Sequence, residues 1–217
     1  MPSTVYAALI ADVMESRARA DLRKLLGKKL DAISRRHLSR KLIQLPYSVT
    51  AGDEFQTVTR DLPSIPAIIY DLRAALRPLS LRIGVGFGGI PGRIQAPVNR
   101  LGGEAFQFAR KAIESIKTGH LFKFEVLTAF VSRDEEFDRT INLIYGLHDT
   151  LLLKITKRQW ETIREFLDRP TLEQTAKRLM LDNSTVSRNL KRGYYWQLAE
   201  TVSGAGSLIK RTSRQLY

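Results

Sequence analysis

The order of apolar segments between Val5 and Val131 leaves this chain few ways to fold. VYAALIAD is an unbroken apolar run that stops at Asp12, the pattern of a strand buried on both faces. A basic helix is predicted from about Arg19 to Lys41, with Leu22, Leu25, Leu26, Leu30 and Ile33 on one face. YSVTAGDEFQTVT reads as two strands around a Gly-Asp turn. Ile65 to Leu76 form a helix entered through Pro66 and stopped before Pro78. LSLRIGVGFGG is the next strand, Gly103 to Lys117 the next helix, and FKFEVLTAFV a last strand. The order β-α-β-β-α-β, extended by a helix and a strand, predicts an α+β protein with a ferredoxin-like or palm domain. From about Asp134 the pattern turns almost wholly helical, so the expected units are 1–133 and 134–217, with the boundary uncertain by roughly ten residues.

Composition limits the chemistry. The absence of cysteine from all 217 residues excludes disulfides, thiolate catalysis and Cys-ligated zinc. Three scattered histidines speak against a His-based metal cluster. The opening MPSTVYAALIADVMESR has no basic leader, and its apolar run is too short to span a bilayer. A cytoplasmic protein without membrane contact is expected. The net charge of +13 favours a polyanionic partner, nucleic acid before membrane; the alternative is a merely basic soluble protein.

In a palm arrangement the first strand and the central hairpin are neighbours. Asp12 then falls at the end of that strand and Asp53 and Glu54 at the hairpin tip, so the three carboxylates are expected to meet at one edge of the sheet. Close carboxylates repel unless a cation joins them. Mg²⁺ or Mn²⁺ is the natural candidate, because such ions combine a few carboxylates with phosphate oxygens. An acidic turn with no metal role is the plainer reading of the same residues. In the strand Leu81–Gly89, Leu81, Ile83, Val85 and Phe87 point one way, and Arg82, Gly84, Gly86 and Gly88 the other. Glycines weaken a strand. Such a stripe either lets a helix pack closely or opens room for a base or ribose, which makes Gly84, Gly86 and Gly88 candidate nucleotide contacts. The loop GIPGRIQAPVNRLGG carries Arg93 and Arg100; with Arg110 they are candidate phosphate ligands.

IADVMESR, AGDEF, LRIGVGFGG and GGEAFQFARKA, in this order and spacing, resemble the SatD family over most of the chain. The resemblance implies a domain related to class III nucleotidyl cyclases, followed by a helix-turn-helix. Those cyclases, which the segments also resemble, place metal-binding aspartates where Asp12 and Asp53 stand. AGDEF is similar as well to the signature hairpin of diguanylate cyclases, with Ala51 in place of the first glycine. A cyclase helix supplies an Asn and an Arg that stabilise the transition state. The segment Gly102 to Arg110 offers Arg110 as the arginine, but Phe106 occupies the Asn position and Gln107 points elsewhere on the helix.

The second half carries a motif of its own. Leu151 to Leu167 read as one helix, anchored by Leu153, Ile155, Trp160, Ile163 and Leu167, and Pro170 interrupts it. Thr171 is an N-cap for the next helix. In TLEQTAKRLMLDNSTVSRNLKRG, Ala176 is small where two helices cross, Leu179 and Leu181 bracket a turn, and Val186 and Leu190 face inward. That spacing is a helix-turn-helix pattern, with Met180 where glycine is common. The second helix offers Asn183, Ser184, Thr185, Ser187, Arg188, Lys191 and Arg192 to double-stranded DNA; a basic helical hairpin for protein contacts is the alternative. From Leu151 onward 13 Lys or Arg stand against 6 Asp or Glu, which leaves 22 against 16 in the remainder. Charge is thus concentrated around the motif. In the tail, Tyr194, Tyr195 and Trp196 are expected to pack on the hairpin, and Lys210, Arg211 and Arg214 to reach phosphates.

The sequence therefore favours a DNA-binding transcriptional regulator whose first domain binds a nucleotide or a divalent ion. The alternative is an active metal-dependent nucleotidyl cyclase or related phosphoryl-transfer enzyme, and a third reading is an interaction scaffold. A homodimer is expected under the first two.

Overall fold

The computed structural model describes residues 4–14, 22–50 and 52–213. Arg19, Ala51, Arg214 and the Leu22 side chain, named above, lie outside what it describes. The chain begins with β1 (Val5–Val13), α1 (Leu22–Ser39), β2 (Ser48–Val49), β3 (Glu54–Thr59), α2 (Ile65–Leu76) and β4 (Leu81–Gly89). It continues through α3 (Glu104–Lys117), β5 (Thr128–Val131), α4 (Glu135–Leu153), α5 (Lys157–Asp168), α6 (Leu172–Leu179), α7 (Asn183–Arg192) and α8 (Tyr195–Thr212). The strands form one sheet in the order β2-β3-β1-β4-β5. β1 pairs antiparallel with β3 and β4, and β4 parallel with β5. The first four strands and two helices have the ferredoxin-like, or palm, connectivity that the sequence predicts; α3 and β5 extend it.

The apolar run of β1 is explained by its central place. Val5, Ala7, Leu9, Ala11 and Val13 face a core built with α1, α2 and α4. Ala8 and Ile10 face the other side, against Ala105, Phe106, Ala109 and Ile113 of α3. On α1 the buried stripe is Leu26, Leu30 and Ile33, at helical spacing. Leu25, expected on that stripe, is 38% exposed.

The glycine stripe of β4 lies under α3. A Cβ on Gly84 would come within 2.5 Å of the Ala109 carbonyl oxygen and the Ile113 nitrogen. One on Gly86 would collide with the backbone of Ala105 and Ala109, and one on Gly88 would lie 2.7 Å from Glu104 Cγ. Helix and strand approach more closely than any side chain allows, so the space above these glycines is filled. Gly84, Gly86 and Gly88 are therefore packing positions, and their expected role as nucleotide contacts is corrected.

Two boundaries also differ from expectation. FKFEVLTAFV is a strand only from Thr128 to Val131; Phe122 and Phe124 instead stack on each other at 4.9 Å, with Phe124 against Gly146 of α4. The helix expected over Leu151–Leu167 is broken at Lys154. There Thr156 and Gln159 form a capping box that starts α5. α4 belongs to the sheet: Asn142 exchanges hydrogen bonds of 2.8 Å with the backbone of Phe130, and Phe137, Ile141 and Tyr145 enter the main core.

Helices α5 to α7 enclose a second core of Trp160, Ile163, Phe166, Ala176, Val186 and Leu190, which also takes in Tyr70 and Leu127 from the sheet side. α8 then returns to the first core through Ala205 and Ile209. Gly206 sits where a Cβ would be 2.9 Å from the carbonyl oxygen of Pro63. No helix among the described residues is long and apolar enough to cross a membrane.

Candidate functional site

Strand register builds the candidate site. Asp12 on β1 is directly opposite Glu54 on β3 and Arg82 on β4. Cross-strand partners share a face, so Glu54, Asp12 and Arg82 form a row at one end of the sheet, on the side that α3 covers. The tight bend before Glu54 turns at Gly52, whose φ of +61° suits glycine. It brings the carbonyl oxygen of Asp53 to 3.3 Å from the Val13 amide. Arg110 and Lys117, two turns apart on α3, hang over the row. The structure thus brings Asp12, Asp53 and Glu54 to one edge of the sheet, with Arg110 beside them.

The cations of the chain itself hold the carboxylates. Arg110 donates two hydrogen bonds to Glu54, at 2.6 and 2.7 Å, and Thr50 Oγ1 donates a third at 3.1 Å. Asp12 lies 3.5 Å from Arg82 and 3.8 Å from Lys117. The two acids, each 7% exposed, respond in opposite ways. Burial would raise the pKa of Glu54, but the bonds and charge of Arg110 outweigh it and hold this carboxyl below its ordinary range. Burial also raises Asp12; Lys117 pulls back, Asp53 pushes further up, and the net shift is upward. Arg110 is raised in turn, chiefly by its bonds to Glu54.

As arranged, this donor set does not fit a divalent ion. Among the described residues no cluster of three metal-ligating side chains forms. The Glu54 oxygens are already bonded to the Arg110 guanidinium, and Asp12 is faced by the Arg82 guanidinium and the Lys117 ammonium. Arg110, implied as a transition-state stabiliser, is engaged with Glu54. The position of the cyclase Asn is filled by Phe106, buried against Ile10 and Val58; Gln107 is exposed. Arg93 and Arg100 are exposed in the loop after β4. That loop folds over β3, where Gln56 Nε2 donates to the Val98 carbonyl at 3.3 Å; the cations paired with Asp12 and Glu54 are Arg82, Lys117 and Arg110.

The second set of expected residues lies on α6 and α7. Thr171 caps α6 by accepting from the Gln174 amide. The turn passes through Met180, left-handed at φ 52° and 92% exposed. Asp182 caps α7, accepting from the Thr185 amide and from the hydroxyls of Ser184 and Thr185; these bonds hold its pKa well below the carboxylate range. Val186 and Leu190 are buried, while Asn183, Ser184, Ser187, Arg188, Lys191 and Arg192 are exposed. Thr185 is half-buried with its hydroxyl committed to the cap, so its expected place among outward contacts is corrected. Tyr195 and Trp196 lie edge-on to Phe166 of α5 rather than on the α6–α7 hairpin, and Trp196 is 55% exposed.

Lys117 and Thr50 escaped sequence reasoning. The spacing of Lys117 from Arg110, seven residues on one helix, was the available signal.

Comparison with known proteins adds the following. The model of the SatD family matches residues 6–194. A solved bacterial light-regulated adenylyl cyclase is 15% identical, with 60% of this chain and 77% of that one covered and a TM-score of 0.40. A second such structure is 16% identical, with 58% and 43% covered and a TM-score of 0.40. A regulator of polyketide synthase expression from Bifidobacterium adolescentis is 15% identical, with 97% and 82% covered and a TM-score of 0.33. No curated protein matches.

Proposed function

We propose that this chain, which belongs to the SatD family, is a regulator that binds double-stranded DNA through α7. The observation that carries the reading is the division of that helix into two faces. Val186 and Leu190 anchor it, and Asn183, Ser184, Ser187, Arg188, Lys191 and Arg192 are left to solvent. Arg and Lys suit guanine edges and phosphates, and Asn and Ser suit base edges. Helices α5 to α7, the part of the expected 134–217 unit with a core of its own, would contact DNA, and the palm unit, expected as 1–133 and to which α4 adds, would sense a nucleotide. A ligand changes DNA affinity only through differential affinity for two arrangements of the units. A homodimer acting in the cytoplasm on paired half-sites completes the proposal.

The test is binding of the full chain to a random duplex pool, followed by selection. Retained duplex with a steep loss on added salt supports the reading. Arg188→Ala and Lys191→Ala should weaken binding with the fold intact. A chain that retains no duplex at low salt refutes it.

One observation favours a second reading, a metal-dependent nucleotidyl cyclase or related phosphoryl-transfer enzyme. Asp12, Asp53, Glu54 and Arg110 converge at one end of the sheet. For Mg²⁺ or Mn²⁺ to bind there, it must displace Arg110 from Glu54 and Lys117 from Asp12. Incubation with each nucleoside triphosphate and either ion tests this reading. A cyclic or linked product that Asp12→Asn and Asp53→Asn each abolish supports it, and absence of product with every triphosphate rejects it.

A further inference from the structure

A cavity of about 120 Å³ lies between α2, the start of β4 and the α4–α5 junction. It is on the opposite face of the sheet from the carboxylate row. Its walls include Arg73, Arg77, Ser80, Leu81, Leu127 and Trp160. We propose that this cavity binds a small tetrahedral oxyanion, such as inorganic phosphate, between Arg73, Arg77 and the indole N–H of Trp160.

Three observations carry the inference. The first concerns unmet donors. Arg73 and Trp160 are each 4% exposed, yet Arg73 Nε and Trp160 Nε1 have no hydrogen-bond partner among the described residues. Buried N–H groups without partners are uncommon and call for an acceptor. The second is that both unmet groups on the cavity wall are donors: Arg73 already spends its terminal nitrogens on the carbonyl oxygens of Leu81 and Leu127 and on Thr128 Oγ1. A ligand here has to bring oxygen atoms.

The third observation is charge. Asp149, 3.8 Å from Arg73, offsets one guanidinium. Arg77 stacks over the Trp160 ring at 4.5 Å and pairs with no carboxylate among the described residues. Lys29 bonds to the carbonyl oxygens of Ala75 and Arg77 and adds a further cation nearby. Burial, then the neighbouring Arg73, lowers the pKa of Arg77. Water would meet the unpaired donors but not the charge. An anion meets both, and ties Trp160 of α5 to Arg73 and Arg77 at the end of α2.

The proposal is independent of DNA binding, and its test uses the full chain with Trp196→Phe, so that Trp160 alone reports. Phosphate titrated at constant ionic strength should give a saturable change in Trp160 fluorescence and a rise in melting temperature; chloride should give neither. Arg77→Gln should weaken phosphate binding ~tenfold or more, the usual worth of a charge-assisted hydrogen bond. A folded protein whose thermal transition responds equally to phosphate and chloride, or to neither, overturns the proposal. Should Arg77→Gln fail to fold, Trp160→Phe decides by the melting shift alone. It keeps an aromatic side chain but deletes the pyrrole ring with its N–H, and undiminished phosphate affinity in that variant also overturns the proposal.

Discussion

Glu54 and Arg110 are joined by two parallel hydrogen bonds, 2.6 and 2.7 Å long, from the end of β3 to the outer face of α3. One strand over, Asp12 has only longer contacts, at 3.5 Å to Arg82 and 3.8 Å to Lys117. Neighbouring carboxylates in one row thus shift in opposite directions, Glu54 down and Asp12 up.

Arg110→Ala leaves Glu54 buried without its main partner. A charged hydrogen bond of this kind is worth about 1.5–3 kcal/mol, and Arg110 is partly exposed, so a loss of about 1–2 kcal/mol in urea unfolding is expected. Glu54→Gln in the same chain should recover part of it, and a double-mutant cycle measures the coupling.

The lowered pKa of Glu54 contributes stability that is present above its unfolded value near 4.5 and is lost as pH falls through the lower folded value. Glu54→Gln should therefore destabilise the protein at neutral pH, with the difference from wild type vanishing in acid. Urea midpoints across a pH series check the sign.

Asp12 should behave inversely. Its folded pKa lies above the ordinary 3.8, so its contribution is fully present below that value and is lost as pH rises through the raised one. At neutral pH the ionised group is a net cost. Asp12→Asn should match or exceed wild-type stability there, and should lose that advantage in acid. A marked loss of stability at neutral pH would contradict the assignment.

Gly86→Ala drives a methyl group into the backbone of α3, where no side chain can swing aside. Overpacking costs about 1–3 kcal/mol when neighbours can adjust; here the loss should reach or exceed the upper end. Reduced soluble yield and a lowered unfolding midpoint are the expected readouts.

Met180 holds a left-handed turn at a cost of about 1–2 kcal/mol for a residue with a side chain, and that side chain is almost wholly in solvent. Met180→Gly should stabilise the protein by about 0.5–1 kcal/mol, after the added freedom of the unfolded chain is allowed for.

Lys191→Ala should reduce the slope of log affinity against log salt by about 1 if the lysine meets a phosphate. An unchanged slope with weakened binding would place it on a base edge instead.

The parts of the fold that periodicity controls were legible. The apolar run of β1, the alternation of β4 and most of the helical stripe of α1 each follow from which faces are buried. The two readings of the β4 glycines could not be separated without the helix above them. The break before α5 was local and readable, since Thr156 and Gln159 have capping-box spacing. The limits of β5 were not, because Phe122 and Phe124 satisfy strand propensity yet stack on each other beside Gly146 of α4. In the site, Asp12 and Asp53 were foreseeable from connectivity. The hold of Arg82 and Lys117 on Asp12 depends on strand register and on how far α3 leans over the sheet, which no local pattern encodes. Arg73 and Trp160 come from remote elements and share no motif.

The return of α8 to the first core has a practical consequence. Ala205 and Ile209 complete a core that begins with Val5, so the helices between them are tethered at both ends, like the span of a bridge. A fragment cut out around α6 and α7 would keep Arg188 and Lys191 but lose both abutments. The full chain should melt in one transition and yield no protease-resistant C-terminal piece.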